Sequence, residues 1–363
     1  MEKLMAFYQG KRVLITGHTG FKGTWLCHIL LEWGAKVYGY ALEPATRPSL
    51  YDAAGLAGNL LSVIADIRDF GMLEKVFREV RPEIIFHLAA QPIVREGYRD
   101  PVGTYATNVM GTVHLLECVR KSDSVRSVIN ITTDKVYDNQ EWPWPYRESD
   151  RLDGYDPYSN SKSCSELVTH SYIRSFLRER GVAVSTMRAG NVIGGGDFAP
   201  NRIIPDCVRG VLRGQPIEVR DPGSIRPYQH VLEPLSAYLL VAKEQFSDPF
   251  AAGCYNVGPE EADSVTTGEL VELFCRIWGD GASWRALEQK DGPHEANVLR
   301  LDSSRLRARF GWIPRWHICR ALEETVRWTQ VWRNQQPVTA EMSREIAQYF
   351  SGGELVGQAG IER

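Results

Sequence analysis

The stretch 12–31, RVLITGHTGFKGTWLCHILL, decides the fold. RVLIT is short, aliphatic and β-branched, as a buried strand requires. Seven residues follow, Gly17-His18-Thr19-Gly20-Phe21-Lys22-Gly23, and an apolar helical pattern begins near residue 22. Each glycine there has a separate use. Gly17 permits the tight turn, Gly20 lets backbone approach a pyrophosphate, and Gly23 lets the helix lie close on the strand. The helix N-terminus then offers unpaired amides to phosphate. Glycines alone also make a plain turn. The strand before and the helix after favour a dinucleotide site, so Gly17, His18, Gly20, Phe21 and Gly23 are expected at a cofactor.

Outward from this unit the chain alternates. KVYGYA (36–41), LLSVIAD (60–66), EIIFHLAA (83–90), SVINITT (127–133) and VAVSTMR (182–188) read as strands. Helical spacing covers 22–33, 69–80, 102–121 and 157–180. Strands that are apolar on both faces, alternating with helices, predict a Rossmann-type α/β fold with a doubly wound parallel sheet. The second half is less regular and richer in Pro, Gly and Trp, which places a smaller α/β substrate lobe there. The expected division is a dinucleotide-binding domain over 1–187 with returns near 228–260. The lobe takes 188–227 and 261–350, and a flexible polar tail takes 351–363. A chain of 363 residues is too long for one small core.

Bulk composition narrows the function. Net charge is −3, so no general basic field draws in nucleic acid, and an anionic substrate must be met by local arginines. No apolar run approaches the roughly 20 residues that span a bilayer. MEKLMAFYQGKR lacks the apolar core of a signal peptide. Seven scattered cysteines, never in Cys-x-x-Cys spacing, read as free thiols in a reducing cytoplasm. No metal is expected, since the histidines do not cluster. His28, His87 and His114 read as packing residues.

A second constellation carries chemistry. Tyr158-Ser159-Asn160-Ser161-Lys162 follows Pro157, which suits a first helical turn. Tyr158 and Lys162 then share one face. A phenol with a free pKa of about 10 is a poor base, and a nearby ammonium is expected to lower it. One strand-helix unit earlier stands Thr133-Asp134-Lys135, an acid beside a base where a buried strand stops.

Together GxxGxxG, Tyr-x-x-x-Lys and the strand-end triplet resemble the extended short-chain dehydrogenase/reductase family. Within it, GHTGFKG, AAQPIVR, TNVMGTVHLLE, YDPYSNSK, RAGNVIGGGD and SIRPYQHVLEPLSAY look like the sugar-nucleotide 4,6-dehydratases that act on CDP-glucose. The resemblance runs from about residue 8 to 350. It implies that Tyr158 and Lys162 serve hydride transfer, that Thr133 bonds the sugar 4-hydroxyl, and that Asp134 and Lys135 remove water. It implies NAD as cofactor, although Glu43 and Arg47 after the second strand leave NAD and NADP open. It places Asp66 and Ile67 at adenine, Leu88, Ala89, Ala90 and Gln91 beside the cofactor, and Asn108 in the following helix.

The same resemblance gives the nucleotide-sugar side to Asn191, Arg202, Arg226 and His294, with Glu295 beside it. The aromatic EWPWPYRE (141–148) lines the sugar pocket or covers the sheet edge. A homodimer, or a higher homo-oligomer, is implied through helices 102–121 and 157–180. Val109, Val113 and Leu116 are candidates for the paired face, or else they pack inward. Three readings of function stand at this point: a CDP-glucose dehydratase of deoxysugar biosynthesis, a related dehydratase or epimerase on another nucleotide sugar, and a dinucleotide sensor without catalysis. Sensors of that kind commonly lose Tyr or Lys, and both are present.

Overall fold

The computed structural model describes residues 2–287 and 297–351. Seven strands form one sheet: β1 Arg12–Thr16, β2 Lys36–Ala41, β3 Leu61–Ile64, β4 Ile84–His87, β5 Ser127–Ile131, β6 Ala183–Ala189 and β7 Cys254–Val257. Their order is β7-β6-β5-β4-β1-β2-β3, and every neighbouring pair is parallel. The order reverses between β4 and β1, where a doubly wound sheet opens its ligand crevice at the strand C-termini. The glycine loop leaves β1 there, and Leu88 to Gln91 leave β4 beside it.

Both faces are dry because alternate residues feed two cores. Val13, Ile15, Ile84, Phe86, Ile129 and Ile131 pack with Trp25, Leu26, Ile29, Leu235 and Tyr238. Leu14, Ile85 and Val128 pack oppositely with Leu73, Phe77, Leu115, Leu116 and Val119. A third core, with Ile204, Ile217, Val219, Leu270, Phe274 and Leu322, builds the lobe. There the Ile203–Leu212, Thr267–Trp278 and Ile318–Arg333 helices pack with the short parallel strands Ile217–Val219 and Trp284–Ala286.

Two expected helices differ in detail. The helix expected over 102–121 is Pro101–Tyr105, a wider π turn at Ala106–Met110, then Gly111–Lys121. The helix expected over 157–180 runs Pro157–Tyr172 and ends in a π turn at Ile173–Leu177. Helix Val338–Ser351 returns to the first core through Val338, Met342, Ile346, Tyr349 and Phe350, because its apolar face finds the Phe21–Glu32 helix. Of the two places left open for Leu116 it takes the inward one, fully buried in the second core. The tail 352–363 lies outside the described residues. Among the described residues no helix is long and apolar enough to cross a membrane.

Candidate active site

The glycine loop is shaped for a close ligand. A Cβ on Gly17 would lie 2.8 Å from Ala89 N, and one on Gly23 would lie 2.1 Å from the Gly17 carbonyl oxygen. Gly20, the cap of the Phe21–Glu32 helix, faces open space beyond that carbonyl, 3.4 Å away. The first turn of this helix has no side-chain cap and no acidic residue. Its free amides therefore fit a dinucleotide pyrophosphate. Gly23→Ala is expected to destabilise the fold by about 1–3 kcal/mol, read as a lower Tm, and to weaken dinucleotide binding in calorimetry. An unchanged Tm and affinity would remove the close-packing role of Gly23.

Other expected cofactor residues surround the loop. His18 is buried with Nε2 2.7 Å from Ser62 Oγ, and burial lowers its pKa to about 4. The Asp66 carboxylate is gripped by Arg68, Nη2 to Oδ2 at 2.6 Å. Ile67 is buried against Gly111. Asn108 is a brace: Gln91 N donates to its Oδ1 at 2.9 Å, and its Nδ2 donates to Ser161 Oγ at 2.8 Å. The π turn at 106–110 holds this brace between the β4 loop and the Tyr158 helix. His28, His87 and His114 bond Ser343, Thr16 and the Ile67 carbonyl.

A cavity of about 270 Å³ adjoins the loop. Phe21, Thr133, Asp134, Lys135, Tyr158, Asn191, Arg202 and Arg226 all line it. Local structure explains how they meet. Thr133 caps a short 3-10 turn, Asp134–Val136, at the end of β5. Asp156 caps the Pro157–Tyr172 helix, its Oδ1 accepting from Tyr158 N at 2.9 Å and Ser159 N at 3.1 Å. Lys162, one turn on, donates from Nζ to the Ile131 carbonyl at 3.0 Å. Arg202 pairs with Asp197 at 3.0 Å, and Arg226 is buried behind Asp134. His294 and Glu295 lie outside the described residues.

Electrostatics differ from expectation at one place. Burial pushes the Tyr158 phenol up to about 12, while its hydrogen bond to Thr133 pulls the other way. The Lys162 ammonium does not prevail, because it is turned to the Ile131 carbonyl and is itself lowered to about 8 by burial. Burial also raises the Asp134 carboxyl, against the pull of Lys135, Thr133 and Arg226. Thr133 Oγ1 donates to Asp134 Oδ1 at 2.9 Å, and Oδ2 is buried with no hydrogen-bond partner among the described residues. Burial thus shifts this acid toward its protonated form, which would donate from Oδ2.

Sequence reasoning did not single out several residues here. Lys22 lines the cavity. Burial, then the Arg202 and Lys162 cations, lower its ammonium to about 7. Its signal was a cation inside a phosphate loop. Asp197 follows the GGG run and had no signal apart from its partner Arg202. Glu166 and Arg188 form a fully buried ion pair at 2.9 Å. From EWPWPYRE, Tyr146 stacks on Tyr137 at 5.1 Å, and Trp142 and Trp144 do not line the cavity. Glu166, His170 and Cys254 are close enough to share a metal, but Arg188 already holds Glu166.

A parallel sheet with a glycine loop at its switch point, and a Tyr-Lys helix facing it across one cavity, defines a nucleotide-sugar dehydratase or epimerase fold. Residues 14–325 match the family described as GDP-mannose 4,6 dehydratase, and the chain belongs to that family. A CDP-glucose 4,6-dehydratase of Salmonella typhimurium is 48% identical, over 95% of this chain and 98% of its own. A dTDP-glucose 4,6-dehydratase of Xanthomonas campestris is 26% identical, over 88% of this chain and 94% of its own. Among solved structures, the Thermus thermophilus UDP-glucose 4-epimerase complex with NAD superposes with a TM-score of 0.76 at 26% identity. That match covers 88% of this chain and 98% of the other. The Bacillus anthracis dTDP-glucose 4,6-dehydratase, in complex with NAD, superposes with a TM-score of 0.74 at 23% identity, covering 90% and 99%.

Proposed function

We propose that the protein converts CDP-D-glucose to CDP-4-keto-6-deoxy-D-glucose and water, with NAD recycled within each turnover. One observation carries this reading: a buried carboxyl, Asp134, adjoins an amine, Lys135, at a strand end in the same cavity as Tyr158. The 48% identity to a CDP-glucose 4,6-dehydratase supports the choice of sugar nucleotide. NAD, held at the Gly17–Gly23 loop, would accept the C4 hydride and later give it back at C6. Tyr158 takes the proton of the sugar 4-hydroxyl, which Thr133 orients. The resulting 4-ketone acidifies C5. Lys135 takes the C5 proton, and Asp134 gives its proton to the departing 6-hydroxyl as water leaves; Lys135 then returns the proton to C5 as C6 regains a hydride, and the proton held by Tyr158 passes back to Asp134. Asn191, Arg202 and Arg226 meet the nucleotide diphosphate. Incubation with CDP-, GDP-, UDP- and dTDP-glucose, followed by the 4-keto chromophore in alkali, tests the reading. CDP-glucose is expected to give the highest kcat/KM, and preference for another base would overturn the assignment.

Two further parts belong to this reading. All seven cysteines are free thiols, which supports a reducing cytoplasm. The protein pairs as a homodimer through the helices around Val102, Met110, Leu167 and Phe176. All four are exposed, on segments that pack side by side. Leu167→Glu is expected to give a monomer in sedimentation at micromolar concentration, where the wild type sediments as a dimer or larger. A wild-type monomer would remove the dimer from the proposal.

A further inference from the structure

The turn that carries Thr133, Asp134 and Lys135 is held from below at both ends. At its start, Thr132 Oγ1 donates to Glu166 Oε1 at 2.6 Å. At its end, Arg188 Nη1 donates to Tyr137 Oη at 3.0 Å, and the guanidinium lies 5.1 Å from the Tyr137 ring centroid. Glu166 and Arg188 hold each other by two bonds, Nε to Oε1 at 3.0 Å and Nη2 to Oε2 at 2.9 Å. Thr186 Oγ1 donates to Glu166 Oε2 at 2.7 Å, so the carboxylate is fully used. Glu166 is on the Tyr158 helix, four residues past Lys162 and eight past Tyr158, so all three share a face. Ser163 of the same helix donates to the Val136 carbonyl at 2.8 Å.

We infer that Glu166 and Arg188 are positioning residues, a clamp that sets the Asp134–Lys135 turn against Tyr158 and places the anion that Lys162 faces. The inference rests on the dehydratase reading above. A buried ion pair adds little net stability against apolar residues of the same volume. Geometry is what this one supplies: it ties the segment that removes water to the helix that takes the first proton. It also supplies charge. The charged and titratable groups around Lys162 are Glu166, one turn on along its own helix, Lys22 on the glycine-loop helix and His87 on β4, with Tyr158 one turn earlier on the same helix. His87 is neutral, held at about 3 by burial and by Lys162. Glu166 is the group that holds the Lys162 ammonium up against its burial.

The two effects separate by variant. Thr132→Val removes one hydroxyl that reaches Glu166 and leaves the ion pair in place. It is expected to slow exchange of deuterium into C5 by about tenfold while reduction of bound NAD by CDP-glucose changes less than twofold, since one lost hydrogen bond to a charged group corresponds to roughly that factor. Glu166→Gln removes the anion. The limb of kcat/KM on which activity falls with rising pH is then expected to move to lower pH, because Lys162 loses its proton earlier. Glu166→Gln leaves Arg188 buried without a counter-ion, so the double variant Glu166→Gln/Arg188→Met is measured beside it, and the same pH shift is expected. Each variant's Tm is recorded. Folded variants with the wild-type ratio of C5 exchange to NAD reduction and an unmoved pH limb would overturn the clamp and leave a purely structural ion pair. If neither charge variant folds, Thr132→Val alone decides, on the exchange ratio. If wild-type protein neither reduces NAD nor exchanges C5 with CDP-glucose, the dehydratase reading itself fails.

Discussion

Tyr158→Phe is expected to lower kcat by about 10²- to 10⁴-fold, the range for loss of a positioned acid-base group, with NAD affinity nearly unchanged. The ring stays, so the packing of the helix start under the Asp156 cap stays. What is lost is the oxygen that bonds Thr133 and that we propose accepts the 4-hydroxyl proton. The structure sharpens this expectation. A phenol pushed up to about 12 is not a standing phenolate at neutral pH. In the proposed mechanism it acts once cofactor and substrate are both bound, so the variant should fail at the first step. Single-turnover mixing with CDP-glucose should show no reduced cofactor at 340 nm. Reduction at near wild-type rate would assign the base elsewhere.

Lys135→Ala carries the second large effect, about 10²-fold or more on product formation. Here the block should fall after C4 oxidation and before loss of water. Reduced cofactor is expected to accumulate, and sugar recovered from deuterium oxide should carry no label at C5. The physical reason lies in Asp134. Burial raises its carboxyl, which in the proposed mechanism suits it to give a proton to the leaving hydroxyl and not to take one from C5. Lys135, beside it at the same strand end and lining the same cavity, is the residue we propose acts at C5. Normal C5 exchange in Lys135→Ala would reduce Lys135 to a partner that orients Asp134.

Much of this was legible in the residues. Apolar runs such as IIFH and SVINI, buried at every position in the structure, announce strands covered on both faces. Gly17 and Gly23 announce close approach, because only glycine survives where a Cβ would lie 2.1–2.8 Å from backbone. Tyr158 and Lys162 share a face because a helix turns every 3.6 residues. Thr133 to Lys135 sit at a strand end because the apolar run stops there. Backbone period and hydrophobicity act over a few residues, and a sequence displays them directly.

Tertiary structure alone decided the rest. The inward face of Leu116 and the return of helix Val338–Ser351 to the first core depend on which apolar surfaces remain uncovered after the sheet forms. The pairing of Arg188 with Glu166 joins residues on different elements, and nothing local marks either as buried. The direction of Tyr158, Asp134 and Lys162 follows from exclusion of water by segments distant in the chain. Desolvation is a property of the closed assembly of elements. The sequence by itself determined which groups stand at the strand ends and on the helix face; only the packed fold determined how strongly each of them holds its proton.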